Sequence, residues 1–207
     1  MFKDSKILKF GDATYTDAQM IVDYISNTLG GTIGEEYAKP QGRISVNTDI
    51  KGSDWFCDAA AYVLGNGLMT GTSATTFTPN APMTRGMLAT VLYRMAGSPK
   101  VTGKVSEKFS DCTDGSWYGD AVLWANANDI VNGYEDGTYK PTKAINRQEM
   151  AKILYGYDKA MKRAGEEFAI QLTYTDLNTI ADWALESVTY CTAASYLAGA
   201  DGAFNPK

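Results

Sequence analysis

Two arginines in this sequence have the residue type and the position to bind an acidic ligand. Arg85 and Arg147 directly follow Thr84 and Asn146, which are residue types that cap helix N-termini. A cation at the first helical position opposes the helix macrodipole, at a cost of roughly 0.3–1 kcal/mol. Both arginines are therefore unfavourable for helix stability at matching positions of the sequence, and such a repeated departure favours a function for both residues. A guanidinium beside the free N–H groups of a helix start could bind a carboxylate.

The alternative role for these arginines is structural, because each could pair with a neighbouring acid such as Asp58 or Asp120. On the functional interpretation, replacing Arg85 or Arg147 by alanine should weaken binding and leave stability unchanged. Near the second arginine, Glu149 stands three residues after the cap and predicts a capping box.

The composition excludes several other chemistries. The 207 residues contain no histidine, which excludes Ser-His-Asp and Cys-His catalysis and histidine-ligated metal sites. The three cysteines (Cys57, Cys112, Cys191) form no CxxC pair and are expected to be buried or incidental thiols. The net charge of -5 argues against nucleic acid and membrane partners, and no apolar run approaches ~20 residues. We predict no cofactor, no metal and no enzyme activity.

The arginines belong to an internal repeat, which is visible in tryptophans that precede a glycine by sixteen residues. The three pairs are Trp55 with Gly71, Trp117 with Gly133, and Trp183 with Gly199. An acid stands three residues after each tryptophan, an aromatic residue stands seven after it, and an aromatic-x-Pro follows each glycine. Successive tryptophans are 62 and 66 residues apart. Such regularity indicates a repeat architecture.

Each repeat predicts a helix, a turn and a second helix. The first helix is expected to begin near the tryptophan, with an acid near its start: Asp54, Asp114 or Asp182. The second follows Thr84 or Asn146 and carries apolar residues at helical spacing: Met87, Leu88, Val91, Leu92, Met95 and Met150, Ile153, Leu154, Tyr157. Stacked helix pairs would bury a shared core. The recurring tryptophans favour core positions over sugar-stacking platforms, although both roles remain open.

These motifs resemble S-layer homology (SLH) repeats, which run aromatic-x-Asp, Trp, Gly-Tyr-x-Asp-Gly-Thr-Phe-x-Pro, and Thr-Arg-Ala-Glu. The second copy has Phe109-Ser110-Asp111, Trp117, Gly133-Tyr134-Glu135-Asp136-Gly137-Thr138-Tyr139-Lys140-Pro141 and Asn146-Arg147-Gln148-Glu149. The first has Thr84-Arg85-Gly86-Met87, without the acid, and the third opens with Tyr174-Thr175-Asp176. We place the repeats at 51–98, 107–160 and 172–207.

The resemblance implies a mainly α fold, with SLH helix-turn-helix repeats in a pseudo-threefold three-prong bundle. It implies non-covalent anchoring of an exported protein at the bacterial cell wall or S-layer surface, outside the cell. The implied partner is acidic, pyruvylated secondary cell-wall polysaccharide, and other S-layer proteins are the alternative partner. The implied ligand-binding residues are Arg85, Arg147, Thr84, Asn146, Trp55, Trp117, Trp183 and Glu149.

The third copy stops at Lys207, before a Thr-Arg segment. We therefore expect residues 172–207 to be the least stable part of the chain and at most two arginine sites to exist. The Gly-x-Asp-Gly turn could suggest calcium, but the acids from Asp111 to Asp120 do not fit EF-hand spacing, so the residues of this turn indicate turn chemistry.

Residues 1–47 lie outside the repeat and predict a small α+β remnant. The segments Asp17–Ile25 and Pro40–Ile44 resemble the end of the C-terminal domain of bacterial 5′-nucleotidases. The chain would then be the C-terminal part of a surface-anchored hydrolase without its catalytic domain, and an unrelated linker domain is the alternative. The first residues lack the apolar segment of a signal peptide, so we expect an exported parent to be longer than this chain.

Overall fold

The computed structural model describes residues 47–165 and 170–207, and these residues are mainly helical. The helices are α1 Cys57–Gly65, α2 Arg85–Met95, α3 Gly119–Ala127, α4 Arg147–Ala160 and α5 Asp182–Ala193. Short 3-10 turns lie at Val105–Glu107 and Leu177–Thr179. Within these two ranges only isolated bridges occur and no strand forms. The predicted mainly α fold is confirmed, whereas the remnant predicted at 1–47 lies outside the described residues except for Asn47.

The chain divides into two compact units, residues 1–81 and 82–207. In the first, α1 buries Val63 and Leu64 and ends at Asn66. Gly67 follows with a φ of 67°, the left-handed conformation that terminates helices and suits glycine. The Asn-Gly end predicted for this helix is therefore present. No helix of the described residues is long and apolar enough to cross a membrane.

In the second unit, α2 packs against α3 and α4 packs against α5. Both α2 and α4 begin at an arginine, directly after their predicted N-caps. The Oγ1 of Thr84 accepts a hydrogen bond from Met87 N, and Asn146 Oδ1 accepts one from Glu149 N. Glu149 Oε2 accepts in return from Asn146 N, which completes the predicted capping box.

The acids near the first helix of each repeat do not cap it. The carboxylates of Asp54 and Asp114 accept hydrogen bonds from Lys51 N and Ser106 N, outside the helices. Asp182 is the first residue of α5, and none of α1, α3 and α5 has a side-chain cap. Asp182 therefore lies at a helix N-terminus, whereas Asp54 and Asp114 lie three and five residues before the first residues of their helices and bond to preceding segments instead.

An aspartate holds the turn of each repeat from 28 residues away. In the second repeat, Asp111 accepts hydrogen bonds of 2.8 Å from both Tyr139 N and Lys140 N. The first and third repeats use the same arrangement, with Asp49 and Asp176 as acceptors. The residue between the aromatic and the proline is left-handed each time, with φ of 56–59° at Thr78, Lys140 and Asn205. The aspartate therefore compensates an unfavourable backbone conformation with charge-assisted hydrogen bonds.

In the first and third repeats, the same hydrogen bonds also lower the pKa of the aspartate. Burial alone would raise the pKa of Asp176, but the hydrogen bonds from Phe204 N and Asn205 N outweigh it and leave the pKa below its ordinary value. The pKa of Asp49 is lowered by the same balance. Both carboxylates are therefore stabilised in their charged form.

The recurring glycine has a packing reason as well as a conformational one. Gly133 has a φ of 72°, and a Cβ atom there would lie 2.5 Å from Cε1 of Phe109. In the third repeat, a Cβ at Gly199 would lie 2.5 Å from Cε1 of Tyr174. The ring of the aromatic-x-Asp motif therefore crosses directly over the glycine, and no larger residue fits beneath it.

The three cysteines are buried, free thiols, as predicted. Burial and the neighbouring Asp111 raise the pKa of Cys112 to about 12. Burial and Asp158 also raise the pKa of Cys191. Such thiols are unreactive, since the thiolate is the nucleophile.

Candidate functional site

The repeated tryptophans are exposed. Trp55 is 48% exposed, Trp117 60% and Trp183 51%. Trp117 packs edge to face with the buried ring of Tyr118, at a centroid distance of 5.3 Å. The preference for a core role is therefore wrong. The sequence misled because Trp55 and Trp117 lie two residues before their helices and Trp183 is the second residue of α5, so none of them lies on the buried face. An exposed indole face can stack on a sugar ring.

Trp117 lies at the N-terminus of α2, next to the first arginine. A Cβ atom added to Gly86 would lie 3.3 Å from Cη2 of Trp117 and 2.9 Å from the carbonyl oxygen of Pro141. The indole thus occupies space that glycine leaves open. The corresponding residue in α4 is Gln148, whose Oε1 accepts a hydrogen bond from Ala181 N, two residues before Trp183. Both helix starts therefore lie close to a tryptophan segment of the following repeat.

Arg85 is buried inside the turn of the second repeat, with 6% of its surface exposed. Its Nε donates to the carbonyl oxygen of Tyr139 at 2.9 Å, and the Tyr139 hydroxyl donates back to the Arg85 carbonyl oxygen at 3.0 Å. The guanidinium carbon lies 4.8 Å from the ring centroids of both Tyr134 and Tyr139. One terminal nitrogen is 4.0 Å from Glu149 Oε1. These contacts surround the guanidinium with protein groups.

Arg147 repeats part of this arrangement in the third repeat but is only partly buried. Its Nε donates to the carbonyl oxygen of Phe204 at 2.7 Å, and a terminal nitrogen donates to that of Ala198 at 2.6 Å. The guanidinium carbon lies 4.8 Å from the centroid of the Phe204 ring. The residue after each arginine also donates its backbone N–H to the carbonyl oxygen of the turn proline, Gly86 to Pro141 and Gln148 to Pro206. The two arginines therefore bind equivalent turns by an equivalent Nε hydrogen bond, and Arg147 makes a further bond to Ala198.

The N–H groups at the start of α2 are not free. Arg85 N donates to the carbonyl oxygen of Lys143, Gly86 N to that of Pro141, and Met87 N to the cap. The expected carboxylate site made of free N–H groups is therefore absent at α2, because the neighbouring turn supplies the acceptors.

Glu149 is the centre of a polar cluster at the first site. Its Oε1 accepts from the Tyr134 hydroxyl at 2.7 Å and from Lys143 Nζ at 2.8 Å. Burial alone would raise the pKa of Glu149, but the bonds from Lys143 and Tyr134 outweigh it and lower the pKa. The pKa of Lys143 is raised, since its bonds to Glu149 and Tyr134 outweigh the effect of burial. The cluster is held as a charged pair.

Sequence reasoning did not identify Tyr134, Tyr139 and Lys143 as neighbours of Arg85. They lie in the next repeat, about fifty residues along the chain, and only the Gly-Tyr-x-Asp-Gly-Thr motif pointed to them as turn residues. Among the described residues, no group of three or more Cys, Asp or Glu side chains could hold a metal ion.

These features define a class of protein: a module of helix-turn-helix repeats in which one repeat inserts an arginine into the turn of the next. The sequence model of the S-layer homology domain matches residues 48–86 and 108–151. These two segments contain the first and second repeats, so the match confirms the resemblance to S-layer homology repeats.

Relatives with this sequence pattern are surface proteins and large enzymes. The chain is 28% identical over 182 residues to an amylopullulanase of Thermoanaerobacterium thermosulfurigenes, covering 87% of this chain and 10% of that protein. It is 26% identical over 134 residues to a cellulosome-anchoring protein of Acetivibrio thermocellus, covering 63% and 30%. It is 32% identical over 136 residues to a surface-layer 125 kDa protein of Lysinibacillus sphaericus, covering 62% and 11%. The chain therefore spans less than a third of these relatives.

Proposed function

We propose that this chain is a non-catalytic module that anchors an exported protein to the bacterial cell surface by binding acidic wall polysaccharide. The match of two segments to the S-layer homology domain model supports this proposal, as does the similarity to a cellulosome-anchoring protein and a surface-layer protein. The amylopullulanase is similar over only 10% of its length. A shared non-catalytic segment explains why the match covers most of this chain but only a tenth of the amylopullulanase.

The exposed tryptophans carry the proposal. Large aromatic side chains are usually well buried, yet Trp117 and Trp183 expose about half of their surface or more. Trp117 lies near the start of α2, and the segment of Trp183 lies near the start of α4. An exposed indole offers an apolar face for a sugar ring, and an arginine of the preceding helix would supply a cation for the acidic substituent of that sugar.

The acidic substituent we propose is a carboxylate on the sugar, such as a pyruvate ketal. A guanidinium binds a carboxylate through two parallel hydrogen bonds, with more geometric specificity than a lysine offers. The net charge of -5 would make general attraction to an acidic polymer weak, so binding should depend on the local sites.

Co-sedimentation with purified cell walls tests the proposal. The chain should bind walls that carry acidic secondary polysaccharide and should fail to bind walls from which that polysaccharide has been stripped. Equal binding to the stripped peptidoglycan would contradict the proposal.

A matched pair of variants makes the experiment specific for the indoles. The double substitution Trp117→Ala and Trp183→Ala should reduce binding at least tenfold, since stacking on an aromatic ring is worth about 1–3 kcal/mol per contact. Leu185→Ala is the control, because Leu185 is an exposed apolar residue of α5, 45% exposed, that is not one of the repeated tryptophans. A similar loss in the control would indicate non-specific hydrophobic adsorption.

A further inference from the structure

The two arginine sites differ in one residue of the turn that each arginine enters. The residue after the turn glycine is Tyr134 in the second repeat and Ala200 in the third. The two positions are equivalent in structure, because Tyr134 N donates to Thr138 O and Ala200 N donates to Ala203 O, each directly before the turn aromatic. Both turns accept the Nε bond of the incoming arginine at the carbonyl oxygen of the turn aromatic, Tyr139 or Phe204.

Tyr134 covers the first arginine. Its ring centroid lies 4.8 Å from the Arg85 guanidinium, and its hydroxyl is held at 2.7 Å by Glu149. Lys143 Nζ contacts both Glu149 and the Tyr134 hydroxyl, at 2.8 and 3.0 Å. Lys140 Nζ lies 4.2 Å from the same ring. The ring is therefore fixed in place over a guanidinium that is already almost fully buried.

Ala200 provides no such cover in the third repeat. It is exposed, and its side chain is a single methyl group. Phe204 stands where Tyr139 stands in the second repeat, and it has no hydroxyl to bond the arginine backbone. Arg147 is accordingly only partly buried, although its Nε makes the same bond as that of Arg85.

We propose that the residue after the turn glycine decides which arginine reaches the acidic polysaccharide. Arg147, beside Ala200, contacts the acidic group. Arg85, covered by Tyr134, is a positioning residue that holds the turn and Trp117 in place without touching the ligand. This assignment rests on the proposed wall-binding function. Within that function it gives ligand contact to Arg147 and a positioning role to Arg85.

Exchanging the two residues tests the assignment in the full chain, with purified acidic wall polysaccharide as the probe. Ala200→Tyr should cover Arg147 and weaken binding roughly tenfold or more, the loss of one charge-assisted contact. The exposed position of Ala200 leaves room for the larger ring. Tyr134→Ala should leave binding unchanged or strengthen it, since it uncovers Arg85. Tyr134→Phe is the matched control, because it keeps the ring over Arg85 and removes only the hydroxyl with its bonds to Glu149 and Lys143.

A reagent that needs no polysaccharide gives a second measurement. Phenylglyoxal modifies accessible guanidinium groups, and peptide mapping by mass spectrometry identifies each modified arginine. Arg147 should react in the native chain while Arg85 is protected, and Tyr134→Ala should raise the reactivity of Arg85. Equal reactivity of the two arginines in the native chain would overturn the assignment, whether or not any variant folds poorly.

The two proposals fail in different ways. If the native chain does not bind the polysaccharide, the wall-binding function is wrong and the assignment falls with it. If the native chain binds but Tyr134→Ala loses affinity and Ala200→Tyr does not, the function stands and the assignment is overturned.

Discussion

Replacing Arg85 by alanine should destabilise the fold, contrary to what its position at a helix start suggests. The substitution removes the Nε bond to the Tyr139 carbonyl oxygen and the contacts of the guanidinium with two tyrosine rings. It leaves a buried carbonyl oxygen without that donor. Removing the cation from the helix start returns only roughly 0.3–1 kcal/mol.

The structure indicates the size of the loss. Removing one partner of a buried, hydrogen-bonded charge pair costs roughly 3–5 kcal/mol. The distance of 4.0 Å to Glu149 is long, and Glu149 keeps its bond to Lys143 at 2.8 Å. We therefore expect the low end of that range, about 3 kcal/mol. For a chain of this size, such a loss lowers the melting temperature by about 6–12 °C.

Thermal and urea unfolding, followed by circular dichroism, measure the effect directly. Lys152→Ala is the control, because Lys152 is an exposed residue in the middle of α4, where a substitution should change stability by less than about 0.5 kcal/mol. If Arg85→Ala melts within a degree of the native chain, the contacts of Arg85 with the turn of the second repeat do not stabilise the fold. Its burial would then contribute nothing to stability.

Two further predictions concern the turns. Asp176→Asn should destabilise the chain at pH 7, because it removes a carboxylate that accepts two backbone N–H groups. Because the pKa of Asp176 is lowered, its contribution to the free energy of unfolding is complete above the ordinary carboxyl pKa and is lost as the pH falls through the lowered value. The variant should therefore lose less stability than the native chain between pH 5 and pH 2 in urea titrations. The same loss of stability in both proteins over this range would contradict the prediction. Gly133→Ala should cost more in calorimetry than Gly137→Ala, because both have positive φ but only at Gly133 would the Cβ meet the Phe109 ring; equal losses would show that packing over Gly133 is unimportant.

Local features of the chain were predictable from its sequence. The repeat, the helix pairs, the caps at Thr84 and Asn146 and the left-handed end at Gly67 all follow from interactions within a few residues. Capping and helix periodicity act over one or two turns, so the sequence alone contains the necessary information. The family resemblance came from the same motifs, and the match of the family model confirms it.

The surroundings of the functional residues depended on the tertiary structure. The positions of Arg85 and Arg147 in sequence are equivalent, and the sequence indicated equal roles for them. Their exposure differs because each side chain enters a turn some fifty residues away, where one turn carries Tyr134 and the other carries Ala200.

The exposure of the tryptophans was likewise not predictable from the sequence. Their helical spacing to later residues suggested a buried face. However, Trp55 and Trp117 lie before the first residue of their helices, Trp183 is the second residue of α5, and all three residues are about half exposed. The sequence by itself determined the repeats, their helices and the residue types available for binding. Which of those side chains are buried, paired or open to a ligand was decided only by contacts between repeats, because burial depends on residues that come together when the chain folds.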